Sequence, residues 1–250
     1  MRRNYKGISI NTSKNTHETV CDMIKLSTDK VVVDIPSGSG AFIQRLKDGG
    51  FESIIAIDIS NILEIEHEAF IKGDMTKTFP MSDKSCDIIV CIDGIEHIDE
   101  QFYFVKEGHR VLKNEGEIII STPNISTLRS RFKWFTTGHH HKCNSPLDET
   151  NPNPLHHIGM ISFAELRYML HSNGFRIVEI RTNRMKPINL VYAIFLPVIY
   201  LSTLWVYLKR GKKEKMTQIN RSIFKQVFKK EILFGETLII KAKKTTSNNV

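Results

Sequence analysis

Cysteine is scarce in this 250-residue chain, and Cys21, Cys86, Cys91 and Cys143 form no C-x-x-C pair. That argues against a thiolate metal framework or a disulfide scaffold, and a reducing compartment fits. No apolar run follows the basic start Met1–Tyr5, so no secretory signal is read. No internal repeat is visible. Acidic residues are nearly missing from one stretch. Positions 181–230 hold twelve Lys or Arg and a single acid, Glu214. This stretch carries +11 and the remainder −3, whereas the whole chain carries +8. The basic balance is therefore local, and an electrostatic partner belongs there. The rest has ordinary globular composition, 41% hydrophobic and 25% charged, which excludes collagen-like and wholly disordered classes.

What is present is an alternation of strands and helices. The apolar spacing predicts a helix over 16–27 with Thr16 as N-cap. Short β-branched runs predict buried strands at 30–35, 53–59, 69–72, 86–92 and 117–121. Further strands are expected at 175–181 and 236–242. Helices are expected from 41, over 102–112 and over 162–173, the last ended by Gly174. Strands apolar on both faces imply a mostly parallel sheet covered by helices, an α/β doubly wound fold. Residues 136–160 read as a polar loop.

The first buried strand runs into Asp34-Ile35-Pro36-Ser37-Gly38-Ser39-Gly40. A Gly/Ser turn after such a strand lets a ligand approach the backbone, and the next helix offers its N-terminus. Asp58 ends the second strand, where a carboxylate can hold two ribose hydroxyls. Here the sequence resembles the class I S-adenosylmethionine (SAM) dependent methyltransferases. Their D-x-G-x-G-x-G motif is met from Asp34 to Gly40, except that Pro36 takes the first Gly position. Ile57-Asp58-Ile59, Gly73-Asp74-Met75, Phe79-Pro80 and Leu112–Gly116 extend the likeness over roughly residues 15–182. A nicotinamide-dependent enzyme would leave Glu96-His97 and the Leu112–Gly116 turn unexplained. The resemblance implies a Rossmann-like sheet of seven strands with the last antiparallel. It implies SAM as cofactor, contacted by Asp34, Pro36, Gly38, Gly40, Asp58, Ile59, Asp74, Met75 and Asp93.

After the fourth strand comes Asp93-Gly94-Ile95-Glu96-His97. On a helix, Asp93, Glu96 and His97 would share one face. Two carboxylates and an imidazole could hold a divalent cation such as Mg, with His156 or His157 as fourth ligand. The pattern looks like that of ubiquinone-biosynthesis O-methyltransferases and small-RNA 3′-terminal 2′-O-methyltransferases. His97 as a metal-free base with Glu96, or as a structural hydrogen-bonder, stays open beside the metal set Asp93, Glu96, His97 and His157. His139-His140-His141 with Cys143 could suggest a second metal. A polar loop over the acceptor pocket is the better reading.

Leu190–Leu208 is nineteen residues without a charge. As a helix it would be about 28 Å long, near the ~30 Å hydrocarbon thickness. A single span would separate the last strand from its sheet, both flanks are basic, and Pro197 should break the helix into two short arms. A re-entrant or in-plane wedge is the coherent expectation. Ile219, Ile223, Phe224, Val227 and Phe228 then recur at helical spacing among Arg and Lys, suited to anionic headgroups. The expected organisation is a methyltransferase domain at 1–185 and 232–244, a membrane-associating helical insertion at 186–231, and a disordered tail at 245–250. The expected activity is O-methylation of a lipophilic or lipid-linked molecule, a quinone precursor or glycan intermediate, at the cytoplasmic face of a membrane. The anionic surface would be met through 187–230. RNA 2′-O-methylation and a non-catalytic SAM-binding scaffold are the alternatives. Nucleic acid is disfavoured because the basic residues sit away from the pocket segments.

Overall fold

The computed structural model describes residues 3–25, 27–142, 147–151, 153, 155–210 and 214–245. Cys143 and all but the first residue of the expected tail lie outside them.

A hairpin opens the chain: β1 (Arg3–Tyr5) pairs antiparallel with β2 (Ile8–Ile10). Its turn residues Lys6 and Gly7 both have positive φ. α1 (Thr16–Met23) follows. Then come β3 (Val31–Asp34), α2 (Ala41–Asp48), β4 (Ser53–Asp58), β5 (Phe70–Lys72) and β6 (Cys86–Ile92). A 3-10 turn (Ile95–His97) leads to α3 (Gln101–Val111) and β7 (Leu112–Pro123). α4 (Leu128–Thr137), α5 (Phe163–Ser172) and β8 (Phe175–Arg181) complete the main body before a helical connection.

That connection is α6 (Pro187–Val191), a 3-10 turn (Tyr192–Phe195), α7 (Leu196–Arg210), α8 (Glu214–Val227) and α9 (Lys230–Phe234). β9 (Thr237–Lys244) closes the sheet. The strand order is β5-β4-β3-β6-β7-β9-β8. Only β9 runs against its neighbours, pairing antiparallel with both β7 and β8. The strands are apolar on both sides for a physical reason. Val33, Ile57, Ile89 and Ile118 pack on the face covered by α3 and α5, and Val32, Ala56, Ile88 and Ile119 on the face of α1 and α2.

Several local expectations are corrected. Asn15, in a left-handed conformation, takes the N-cap position of α1, so Thr16 is its first helical residue. The helix ends at Met23 because Ile24 turns extended, well short of 27. The Asn114–Gly116 turn does not precede the fifth parallel strand but interrupts it. Leu112 already pairs with Cys86, and pairing resumes at Glu117 with Ile88. Pro197 does not split the apolar segment. A 3-10 turn just ahead of it absorbs the missing donor, and Pro187–Lys209 runs as one helical stretch. Its length and composition suffice to cross a membrane, and none of its most apolar window is buried.

Candidate active site

The site forms at the carboxyl ends of β3, β4 and β6. At the end of β3 the Ser37 amide donates to Ile57 O (2.9 Å), joining the turn to β4. Gly38, with φ +51°, donates its amide to Asp58 Oδ2 at 2.9 Å. A Cβ at Gly38 would meet nothing, so its backbone is open to a ligand. Gly40 is glycine for an internal reason: a Cβ there would press on Leu63 and Ile65. Asp58 Oδ1 accepts the Ile59 amide at 2.7 Å. Asp34 is buried, and its Oδ2 has no partner among the described residues. Burial, and then the Asp58 charge, hold its carboxyl well above the ordinary range. Asp74 Oδ1 accepts both the amide and the hydroxyl of Thr76, which lowers its pKa and squares the loop after β5. The residues suit SAM: an open backbone turn, a carboxylate at the next strand end, and orphaned polar atoms at Asp34 and Ser37.

Beyond β6 the expected metal set divides. Asp93 does not join Glu96 and His97 on a helical face. It has φ +46°, and the helix that would align the three is only a 3-10 turn starting at Ile95. Its Oδ1 accepts from the Ser121 hydroxyl at 2.7 Å, and its Oδ2 from the Thr12 hydroxyl. Its carboxylate is thus committed to the N-terminal segment and to β7. The group that does converge is Glu96, His97 and His157, with candidate ligand atoms within 4.8 Å of one another.

Glu96 is fully buried, and neither oxygen has a hydrogen-bond partner among the described residues. The nearby Thr122 hydroxyl is not in hydrogen-bonding geometry with it. Burial first, then Asp93, push its carboxyl well above the usual carboxylate range. His97 Nδ1–H donates to His156 O at 3.2 Å, so Nε2 carries the free lone pair. Burial, then His157, lower the His97 pKa. The two rings meet edge to face at 4.8 Å. His156 contributes its carbonyl to this contact. The loop is held by the Gly159 amide on Glu96 O (2.9 Å) and by Gln101 Nε2 on Ile95 O (2.8 Å) and Gly159 O (2.6 Å). A side chain on Gly159 would run into Ile98 O.

Two contributors were not foreseen. Thr12 and Ser9 bring the N-terminal segment to the turn, with Ser39 Oγ donating to Ser9 O at 2.5 Å. Their only trace in sequence is the Lys-Gly pair between Tyr5 and Ile8. Lys142 follows the three histidines. Its Nζ donates to Ser13 Oγ at 3.2 Å and lies 3.7 Å from Glu236, and burial lowers its pKa. His139 and His141 do not gather with another ligand as a metal group among the described residues.

Residues 33–120 match the family model described as a methyltransferase domain. Over that stretch the chain is similar to class I SAM-dependent methyltransferases. A probable SAM-dependent methyltransferase of Mycolicibacterium smegmatis is 34% identical over 100 residues, which is 40% of this chain and 32% of that protein. Malonyl-[acyl-carrier protein] O-methyltransferase 1 of Coxiella burnetii is 30% identical over 122 residues, covering 48% and 43%. The match thus spans less than half the length of these curated relatives. Among solved structures, a SAM-dependent methyltransferase from Archaeoglobus fulgidus superposes with TM-score 0.56 at 20% identity, covering 91% of this chain and 92% of that one. The [4+2]-cyclase SpnF has the same fold at TM-score 0.54 and 16% identity, covering 92% and 81%. The fold therefore does not by itself decide the reaction, which depends on the site residues.

Proposed function

We propose that this protein transfers the methyl group of SAM to a hydroxyl of a lipophilic or lipid-linked acceptor at a membrane surface. Bound SAM supplies a methyl on a sulfonium, open to in-line displacement. The Gly38 backbone and Asp58 hold and orient it. The single observation carrying the reading is the Glu96–His97–His157 group at the end of β6, with Glu96 buried and both imidazoles half-buried, beside that turn. His97 Nε2, free and uncharged near neutral pH, takes the acceptor's hydroxyl proton. Glu96 lies beside it in the same group and positions the ring. The 156–159 loop excludes water from the same space.

A second reading rests on the same three residues. One carboxylate oxygen and two imidazole nitrogens suit a first-row transition ion better than Mg once Asp93 is withdrawn. Such an ion would lower the acceptor hydroxyl's pKa and orient it. The two readings part on chelation.

The lipophilic acceptor is argued from the unburied Pro187–Lys209 helix and the basic residues flanking it. β8 and β9 lie in one sheet, so both ends of the insertion return to the same body. α7 and α8 form a hairpin, with Tyr200 against Phe224 and Phe228 at 5.2 Å each. That arrangement fits a segment lying in the interface, on the cytoplasmic face, better than a single span.

The test is incubation of the protein and labelled SAM with lipid extracts, followed by mass spectrometry. A methylated lipophilic product lost in His97→Gln supports the reading. Label transferred only to RNA, or no transfer with SAM bound, overturns it. Loss of activity in EDTA with recovery on Mn, Fe or Zn would select the metal form.

A further inference from the structure

A cavity of about 530 Å³ opens between α4, α5 and the α7–α9 insertion. Its lining includes none of the residues assigned above to the cofactor turn or the Glu96 group. Arg131 of α4 reaches it, and the guanidinium has no hydrogen-bond or ion-pair partner among the described residues. Burial disfavours its charge. An unpaired cation held in a half-enclosed pocket is costly unless an anion joins it. Tyr207 shares the cavity with Arg131 and works against the effect of burial on its charge, and two further polar groups there are occupied. Glu165 caps its own helix by accepting the Ser162 amide at 2.8 Å. His140 Nδ1 lies 3.2 Å from the Ser130 hydroxyl, and its ring stacks on Trp134.

Much of the wall is apolar or aromatic, with Ile125, Trp134, Phe163, Val227 and Ile232. On α7, Thr203 and Tyr207, one turn apart, face the cavity. Leu201, Trp205 and Leu208 are 65%, 63% and 70% exposed on the same helix. On α4, Phe135 is 81% exposed, and Phe132 stacks on Phe195 at 5.2 Å. Leu201, Trp205 and Leu208 thus lie on the face of α7 turned away from Thr203 and Tyr207, and Phe195 of the preceding 3-10 turn ties α4 to the insertion. Lys209 lies over the Trp205 ring at 4.8 Å, a pairing suited to the headgroup layer.

We infer that this cavity binds the phosphate or carboxylate end of a membrane amphiphile, with Arg131 as its counter-ion and the start of the amphiphile's chain against the apolar cavity walls. The inference rests on the membrane-surface reading for the source of the ligand and narrows the acceptor class to anionic amphiphiles. It is independent of which residue removes the proton.

Trp134 and Trp205 are the two tryptophans of the chain. In Trp205→Phe, the cavity residue Trp134 is the sole tryptophan reporter. Dodecyl phosphate, titrated below its micelle concentration, should shift its emission saturably. Arg131→Gln should weaken that binding by about tenfold or more. Dodecanol should bind much more weakly, and inorganic phosphate alone should not compete at the same concentration. Equal binding of dodecanol would overturn the anionic site. Equal binding of inorganic phosphate would make it a site for a free anion and overturn the amphiphile. Calorimetric SAM binding reports whether Arg131→Gln is folded. If it is not, the wild-type comparison of dodecyl phosphate with dodecanol decides alone. Failure of the wild-type protein to bind SAM would sink the methyltransferase reading while leaving the dodecyl phosphate result standing.

Discussion

Pro36 and Gly94 are packed ring against backbone: a Cβ added at Gly94 would overlap the Pro36 ring. Pro36 stands where the family motif has its first glycine, and Gly94 precedes Glu96 by two residues. The cofactor turn and the segment bearing Glu96 and His97 are thus fitted to each other. Gly94→Ala should destabilise the protein by about 1–3 kcal/mol, as overpacking does. It should also weaken SAM binding. Adding Pro36→Gly to that variant should recover most of both. Urea unfolding and calorimetric titration with SAM measure the two effects. An additive double variant would show that the contact is not the cause.

Asp58 accepts two backbone amides at the Gly38 turn and has lone pairs left for a diol. Asp58→Ala should lower SAM affinity by about ten- to a hundredfold, the loss of charged hydrogen bonds. Asp58→Asn keeps one acceptor oxygen and should fall between. Titration calorimetry on the three proteins checks the order.

Glu96 contributes to stability with an unusual sign. Its folded pKa is raised, mainly by burial, above its unfolded value. Where the unfolded chain has already lost that proton and the folded protein has not, stability falls as pH rises. The penalty is absent below the unfolded pKa and grows upward from about pH 4.5. Glu96→Gln should therefore melt higher than wild type at pH 7–8 in EDTA, equal it near pH 4, and lose activity. Parallel melting curves at the two pH values provide the check. A variant less stable at both would mean that Glu96 is ionised and paired.

His97 has its pKa lowered by burial and by His157. As the base, it must be unprotonated in the free enzyme. The acid limb of kcat/KM should have its midpoint below the usual imidazole value of about 6.5. His97→Gln should remove that limb and lower kcat/KM by about 10²–10⁴-fold. A pH–rate profile measured in EDTA isolates this from any metal effect.

The basic insertion predicts salt-sensitive vesicle binding. Anionic phospholipid vesicles should retain the protein more strongly than neutral ones. Raising salt from about 0.1 to 1 M should weaken that retention without abolishing it, because only the charge contribution is screened. Replacing Leu201, Trp205 and Leu208 with Gln should remove the salt-resistant part. Co-flotation with vesicles distinguishes these components.

What the sequence by itself determined lies within a few residues of chain. The strand at Cys86–Ile92, the strand at Phe175–Arg181 and the Gly38 turn follow from local spacing, and all stand where the pattern puts them. The antiparallel last strand came through the family resemblance. Only the tertiary structure decided which acids and imidazoles gather. Asp93 is four residues from His97, yet Thr12 and Ser121, 81 and 28 residues from it in sequence, take its carboxylate. His157 enters the site because Gly159 and Gln101 tie a remote loop to the Glu96 turn. Lys142 meets Ser13 across 129 residues. Arg131 carried no signal, since what marks it is having no hydrogen-bond or ion-pair partner among the described residues. Periodicity records which face of a strand or helix is buried, a property repeated every two to four residues. The partners of a polar side chain depend on where distant segments cross, and no local spacing records that.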